Sequence, residues 1–125
     1  MLEIIFVGTG GCIGAVLRYI ITKQSSNLIN SNFPLGTLLV NVIGGFLIGL
    51  IMELSNSTEL ISPNLRLFLT TGIMGGLTTF STFSYETITL MSNGSFVLGT
   101  VNVLLNVTLS LGGVLFAKLL CKVIV

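Results

Sequence analysis

Four apolar runs, separated by short polar stretches, constrain the fold of this chain more than any other feature of its sequence. A helix needs about 20 mostly apolar residues to cross a lipid bilayer. Runs of about this length or longer extend over residues 4–22, 35–54, 66–92 and 96–120. We therefore predict an all-α membrane protein with four transmembrane helices, in a single domain that covers residues 1–125.

The small number of charged side chains supports the same fold class. Only 7% of the 125 residues are charged, whereas typical soluble domains carry about 25%. A small domain has a large surface to cover with polar groups, and five basic and four acidic side chains are too few to do so in water. The net charge of +1 gives no electrostatic reason to expect a nucleic-acid partner.

Several kinds of chemistry are excluded by the residue types that are missing. The chain has no histidine and no aspartate, and its four acids are all glutamate. These absences remove most metal sites and most acid–base pairs, so we do not expect an enzyme. Cys12 and Cys121 each lie in an apolar run and are interpreted as small hydrophobic residues.

The third apolar run has a composition that predicts a broken helix. Residues 70–84 read TTGIMGGLTTFSTFS, which is rich in glycine and in hydroxyl side chains. Such a stretch is a poor continuous helix. Unwound backbone at membrane depth is tolerated where it is buried in protein or lines a wet cavity. The alternative is a helix that is kinked at glycine and packed closely on a neighbour.

Basic residues are distributed almost evenly between the two sides of the predicted bundle. Arg66, Lys118 and Lys122 belong to one side, and Arg18 and Lys23 belong to the other. This near balance gives little orientation under the positive-inside rule. We therefore predict that the chain inserts both ways up and forms an antiparallel, dual-topology homodimer, with a single fixed topology as the alternative.

Asparagines and a serine stand inside the apolar runs, where polar side chains mark pathways or tight contacts. Asn41 lies in the second run. Its amide either lines an ion pathway or forms a hydrogen bond between helices. Asn102, Asn106 and Ser110 are spaced i, i+4, i+8 and therefore share one helix face. This polar stripe is predicted either to line a pore or to pack against the polar third segment.

Two phenylalanines in the third segment are candidates for an anion site. Phe80 and Phe83 are three residues apart and share a helix face. An aromatic ring has a positive edge, which attracts an anion in a dry site. Nearby hydroxyls at Ser81 and Thr82 add hydrogen-bond donors. Two phenylalanines at this spacing are otherwise ordinary core residues.

Two charged residues near the ends of runs admit a functional interpretation and a simpler one. Glu86 follows the uncharged stretch of the third run, and Arg18 stands near the end of the first run. In the simpler interpretation each residue lies in the headgroup region, with the arginine side chain extended toward water. In the functional interpretation each lies at the mouth of a pore, where the glutamate exchanges protons or contacts ions and the arginine attracts anions.

Taken together, the motifs resemble those of the Fluc (CrcB) family of bacterial fluoride channels, and the resemblance covers essentially the whole chain. The third of these motifs is the most specific. In chain order the motifs are GGCIGAVLRY (10–19), GTLLVNVIGGFLIG (36–49), GIMGGLTTFSTFSYE (72–86) and the stripe Asn102, Asn106, Ser110.

The resemblance implies a fluoride-selective channel in the bacterial cytoplasmic (inner) membrane, through which F⁻ leaves the cell passively and which protects against fluoride toxicity. It implies an antiparallel homodimer with two pores, fluoride and membrane lipid as its other partners, and a central Na⁺ held by the backbone carbonyls of Gly75 and Thr78 from both subunits. The implied fluoride pathway comprises Phe80, Phe83, Asn41, Ser110, Asn106, Asn102, Thr37, Ser81 and Thr82, together with Arg18 and Glu86.

Two departures and two competing functions accompany this resemblance. Relatives often have Tyr and Ser where this chain has Asn102 and Asn106, and a Thr where it has Val114. A small drug/proton antiporter also has four helices, but it requires an acid buried in mid-span, and only Glu86 lies near the interior. An accessory subunit without transport activity is the third possibility.

Overall fold

The structure, a computed structural model, describes residues 1–28 and 32–124, so residues 29–31 and 125 of the predicted domain lie outside it. The described part is helical and contains no strand, which confirms the all-α prediction. Its elements are α1 (Leu2–Leu28), α2 (Leu35–Ser57), α3 (Pro63–Leu67), a π-helical segment (Phe68–Met74), α4 (Gly75–Leu77), α5 (Phe80–Ser92) and α6 (Phe96–Ile124).

Three helices of the described part, α1, α2 and α6, are long and apolar enough to cross a membrane. The third run is divided between several shorter elements that follow one another from α3 to α5. The chain is thus a multi-pass membrane protein with four helical segments. The helices extend beyond the predicted membrane boundaries, which remain predictions.

Helix α1 extends beyond the first predicted run, which ends at residue 22. The helix continues to Leu28 although the sequence there is polar. Ser25 Oγ donates to Ile21 O at 2.7 Å and Ser26 Oγ donates to Thr22 O at 2.9 Å. These hydroxyls are satisfied by carbonyls one turn earlier, so the polar residues are accommodated without ending the helix.

The predicted break in the third segment is present and spans two residues. Thr78 (φ −78°, ψ 156°) and Thr79 (φ −152°, ψ 118°) have extended backbone between α4 and α5. Thr79 then caps α5, because its hydroxyl accepts a hydrogen bond from Thr82 N at 3.2 Å. Threonine is a preferred residue at this position, so the Thr-Thr pair ends one helix and begins the next.

Glycines allow the backbone of α1 to approach the third segment closely. A Cβ added to Gly10 would lie 2.5 Å from Phe68 O and 2.9 Å from Gly72 Cα. A Cβ added to Gly76 would lie 2.6 Å from Gly11 O and 3.0 Å from Ala15 N. Small residues spaced four apart, Gly10 and Gly14 in α1 and Gly72 and Gly76 in the third segment, therefore lie at a helix–helix contact, as is usual in lipid.

Glycines also allow α2 and α6 to approach each other closely. A Cβ on Gly45 would lie 2.8 Å from Ser110 O, and a Cβ on Gly49 would lie 2.9 Å from Val114 O. The buried apolar core is small and comprises Val40, Met74 and Leu77, where α2 meets the end of α4. The broken segment is therefore enclosed by α1 on one side and α2 on another.

We predict that Gly10→Ala lowers the free energy of unfolding by about 1–3 kcal/mol, because the new methyl group must displace backbone atoms. Gly8 is the matched control, since it lies in the same helix and an added Cβ would meet no atom within 4 Å from outside that helix's backbone among the described residues. Gly8→Ala should be neutral or slightly stabilising, as alanine is the better helix former. Denaturant titration in detergent micelles measures both, and equal stability of the two variants would contradict the close contact.

Candidate functional site

Asn41 of α2 bridges the break in the third segment. Its Oδ1 accepts a hydrogen bond from Thr79 N at 2.8 Å, and its Nδ2 donates to Thr79 O at 3.2 Å. In a continuous α-helix Thr79 N–H would pair with Gly75 O. The Asn41 side chain thus replaces a helical hydrogen bond and satisfies both backbone groups of a buried residue that belongs to no helix.

A chain of buried amides connects Asn41 to the far half of the third segment. Asn41 Nδ2 donates to Asn106 Oδ1 at 2.9 Å, and Asn106 Nδ2 donates to Asn102 Oδ1 at 2.9 Å. Asn102 Nδ2 donates to Thr87 Oγ1 at 2.9 Å, and Thr87 Oγ1 donates to Phe83 O at 2.8 Å. The predicted stripe on α6 therefore packs against the third segment within this single chain.

A groove of about 370 Å³ opens beside the break and collects several predicted pathway residues. Phe80, Phe83, Asn41, Asn106 and Ser110 all line it. The two rings lie 5.5 Å apart between centroids, and Phe80 is 79% exposed whereas Phe83 is 8% exposed. Ser110 Oγ is buried and has no hydrogen-bond partner among the described residues.

A second cavity of about 450 Å³ lies on the other side of the break. Arg18, Thr37, Thr82 and Glu86 line it. Thr79 lines both this cavity and the groove, so the break separates the two. The structure therefore divides most of the predicted pathway into two groups that meet at Thr79, while Asn102 and Ser81 line neither space.

Arg18 contacts the C-terminal end of α4, at the break in the third segment. Its Nη1 donates to Thr78 O at 3.2 Å. The C-terminal end of a helix carries partial negative charge, which a cation stabilises. Arg18 is therefore drawn toward the break, and no salt bridge to an acidic side chain is present for it among residues 1–28 and 32–124.

Glu86 and Thr37 form a pair at the edge of the second cavity. Thr37 Oγ1 donates to Glu86 Oε1 at 2.9 Å, and Glu86 Oε2 is buried without a hydrogen-bond partner in the described part of the chain. Both residues also line a polar cavity of about 220 Å³ with Ser25 and Ser26 of α1. The half-buried Glu86 side chain thus lines both cavities.

Two residues at the site were not singled out from the sequence. Thr79 is central to the break, and Thr87 ends the amide chain. The Thr-Thr pair in the third motif is a signal for Thr79, since adjacent threonines disfavour a helix interior. Thr87 carries no such signal, because a threonine on a membrane helix ordinarily bonds only to the carbonyl one turn earlier.

Comparison with known proteins gives a consistent family assignment. Residues 5–118 match the family model described as "CrcB-like protein, Camphor Resistance (CrcB)". A "Fluoride-specific ion channel FluC" of Clostridium novyi (strain NT) is 54% identical over 120 residues, which is 96% of this chain and 94% of that protein. The protein of the same name from Clostridium perfringens (strain 13 / Type A) is 51% identical over 124 residues, covering 99% of this chain and 97% of its own.

We predict that Asn41→Ala destabilises the chain by about 1–3 kcal/mol, since it leaves the buried Thr79 N–H without an acceptor. Asn56→Ala is the matched control, because Asn56 is an exposed asparagine near the end of the same helix. Unfolding in detergent micelles should separate the two variants. If both unfold alike, the bond across the break contributes nothing measurable.

Proposed function

Because the chain belongs to the CrcB family of fluoride channels, we propose that it is a selective, passive F⁻ pore in the bacterial cytoplasmic membrane. The chain is a membrane ion channel and not an enzyme. HF crosses lipid undissociated and ionises inside the cell, where the pH is higher. A pore then lets the anion leave, driven by the negative-inside potential, and this protects the cell from fluoride toxicity.

The observation that carries the proposal is the groove between the phenylalanine pair and Ser110. Fluoride is small and strongly hydrated, so a pore must replace its water with several donors. The groove offers the rings of Phe80 and Phe83 and a buried serine hydroxyl that has no partner in the described residues. Ring edges and hydroxyls attract an anion without trapping it by a full charge.

The charges around the break favour an anion at this depth. Helix α5 begins at Phe80, and the N-terminus of a helix carries partial positive charge. Arg18 adds a full positive charge on the other side of the break. None of the described residues that line the groove is acidic. We propose that F⁻ passes from the groove toward the second cavity and past the hydroxyls of Thr82 and Thr37. Glu86 and Ser81 lie near the mouth of this proposed pore.

A second copy of the chain is required to complete this site. Phe80 is 79% exposed and Gly75 is exposed beside the break. Irregular backbone at membrane depth must be buried in protein or line a wet cavity, so something has to cover this face. We propose an antiparallel homodimer with two pores, which the even distribution of basic residues allows.

The backbone oxygens at the break suit a structural Na⁺ on the dimer axis. Gly75 O loses its α-helical partner, because Thr79 N–H donates to Asn41. Thr78 O accepts a hydrogen bond from Arg18, and a carbonyl has two lone pairs. Carbonyl oxygens are hard ligands suited to such an ion. Two per chain cannot enclose it, so the equivalent pair from the second copy is needed.

We predict that the purified protein in liposomes releases F⁻ rapidly but not Cl⁻ when a potassium ionophore carries the counter-current. Phe80→Ile and Phe83→Ile should each slow F⁻ efflux by roughly tenfold or more, because an aliphatic side chain has no positive edge to contact the ion. Ion-selective electrodes follow both anions.

Phe96→Ile is the matched control, since Phe96 is 65% exposed at the start of α6 and lies outside the groove. Its efflux should equal that of the wild type. Chloride release as fast as fluoride would contradict selectivity, and unimpaired efflux in both groove variants would place the pathway elsewhere.

We further predict that a cysteine at Asn93, in the exposed turn between α5 and α6, is reached from both sides of the membrane. In a Cys12→Ala, Cys121→Ala background, an impermeant maleimide added outside intact cells should label about half of the protein, since the charge bias is negligible. Permeabilisation should expose the rest. Labelling that is complete or absent in intact cells would mean a single orientation.

A further inference from the structure

A cavity of about 580 Å³ opens where the end of α2 meets the start of the third segment. Arg66, Thr70 and Thr71 line it from the third segment, and Met52 and Ser55 line it from α2. We call this space the Arg66 cavity. It lies at the end of the third segment that is far from Glu86 and the second cavity, and the fluoride pathway proposed above does not include it.

The Arg66 cavity continues the groove along two shared walls. Thr70 lines both spaces. On α2, Ile48 lines the groove, and Met52, about one helical turn later, lines the Arg66 cavity. On the third segment, Met74 lines the groove and Arg66 lines the cavity, with Thr70 between them. The groove and the cavity therefore follow one another between the same two elements.

The residue that the two spaces share belongs to the π-helical segment, Phe68–Met74. Turns of π-helix are rare and are frequently found at functional sites. Thr70 Oγ1 donates to Arg66 O at 2.8 Å, so its hydroxyl hydrogen is used within the segment. The hydroxyls of Ser55 and Thr71 form no hydrogen bond within the described part of the chain. Both are therefore donors that an anion in the cavity can use.

The Arg66 guanidinium carries a positive charge that no acidic side chain neutralises among residues 1–28 and 32–124. Glu53, which lines a neighbouring cavity on α2, is instead paired with Lys118, at 3.8 Å between Oε2 and Nζ. None of the described residues that line the Arg66 cavity is acidic. A cleft that carries charge of one sign between low-dielectric walls raises the local concentration of counter-ions, which are anions in this case.

We propose that the Arg66 cavity is the anion-binding mouth at the groove end of the proposed fluoride pore. Arg66 concentrates F⁻ there, and the hydroxyls of Ser55 and Thr71 replace part of its hydration shell. This inference rests on the proposed fluoride conduction and adds Arg66 as a residue that governs entry of the anion. Arg18 and Arg66 then stand at opposite ends of the pore, so the anion is attracted from either side.

Labelling of a cysteine at Thr71 measures the potential in the Arg66 cavity without depending on transport. Thr71 is exposed, so small methanethiosulfonate reagents reach Thr71→Cys in the Cys12→Ala, Cys121→Ala background. The ratio of the rate with the anionic sulfonatoethyl reagent to the rate with the cationic trimethylammonium reagent reports the local charge. Arg66→Gln should lower this ratio roughly three- to tenfold, because the attraction of anions is lost. Arg66→Lys keeps the charge and should keep the ratio.

Two conditions separate this local effect from other causes. Lys122→Gln is the matched control, since it removes one positive charge from the same side of the bundle, and Lys122 is exposed and lines neither the groove nor the Arg66 cavity. Its ratio should equal that of the wild type. The measurement is made in an uncharged maltoside detergent, which has no phosphate for the arginine to bind. In about 1 M salt the Debye length falls to about 3 Å, and the effect of Arg66→Gln should shrink accordingly.

The F⁻ current across planar bilayers tests whether the Arg66 cavity serves permeation. At low ionic strength and low F⁻ concentration, entry of the anion limits the current. In the proposed antiparallel dimer, one pore is entered through its Arg66 mouth at either polarity, and the other is entered through its Arg18 mouth. Slower entry into one pore of the two should lower the total current of Arg66→Gln by roughly one third to one half. Arg66→Lys and Lys122→Gln should both match the wild type.

The possible outcomes separate the two proposals. A lower reagent ratio and a lower current in Arg66→Gln, both suppressed by salt and both absent in Lys122→Gln, support the mouth. An unchanged ratio, an equal effect of Lys122→Gln, or a loss of current that persists at high salt overturns it. A lower ratio with an unchanged current also overturns it, because Arg66 then attracts anions such as lipid phosphate away from the pathway. If the wild-type protein passes no F⁻, the proposed function fails, and the reagent ratio alone decides whether the Arg66 cavity concentrates anions.

Discussion

The pair of hydrogen bonds between Asn41 and Thr79 is the interaction on which the rest of this structure depends. It satisfies the backbone of an extended residue inside a membrane helix bundle, where an unpaired group would be costly. With those groups satisfied, the third segment stops at Leu77 and restarts at Phe80. The groove, the second cavity and the additional helix N-terminus at Phe80 all follow from that interruption.

The two faces of the broken segment differ, because one is closely packed and the other is exposed. Gly72 and Gly76 press against the glycines of α1 and leave no room for a side chain. The opposite face carries Gly75 and Phe80, which are exposed in the single chain. Polar backbone cannot face lipid, so the break that forms the site also has to be covered, and we propose that a second copy of the chain covers it.

The sequence predicts most of the architecture, because length, apolar composition and helix propensity are local properties. The runs around Val40 and Leu104 become long helices, and TTGIMGGLTTFSTFS becomes a broken one. Spacing places Asn102 and Asn106 on one face but does not say what that face meets. Only the fold shows that it meets Thr87, and helix periodicity likewise did not reveal that Ser25 and Ser26 extend α1.

Cross-linking at Gly75 tests most directly the claim that a second copy covers the break. Gly75 has room for a side chain within its own chain, since an added Cβ lies 3.9 Å from Thr70 O and meets nothing closer. In a background without native cysteines, Gly75→Cys should form a covalent dimer with a short thiol cross-linker, because in the proposed dimer the two copies meet there about a two-fold axis. Gly112→Cys, on α6 with open space around it, should remain monomeric. A cross-linked dimer from Gly112→Cys and none from Gly75→Cys would contradict the account.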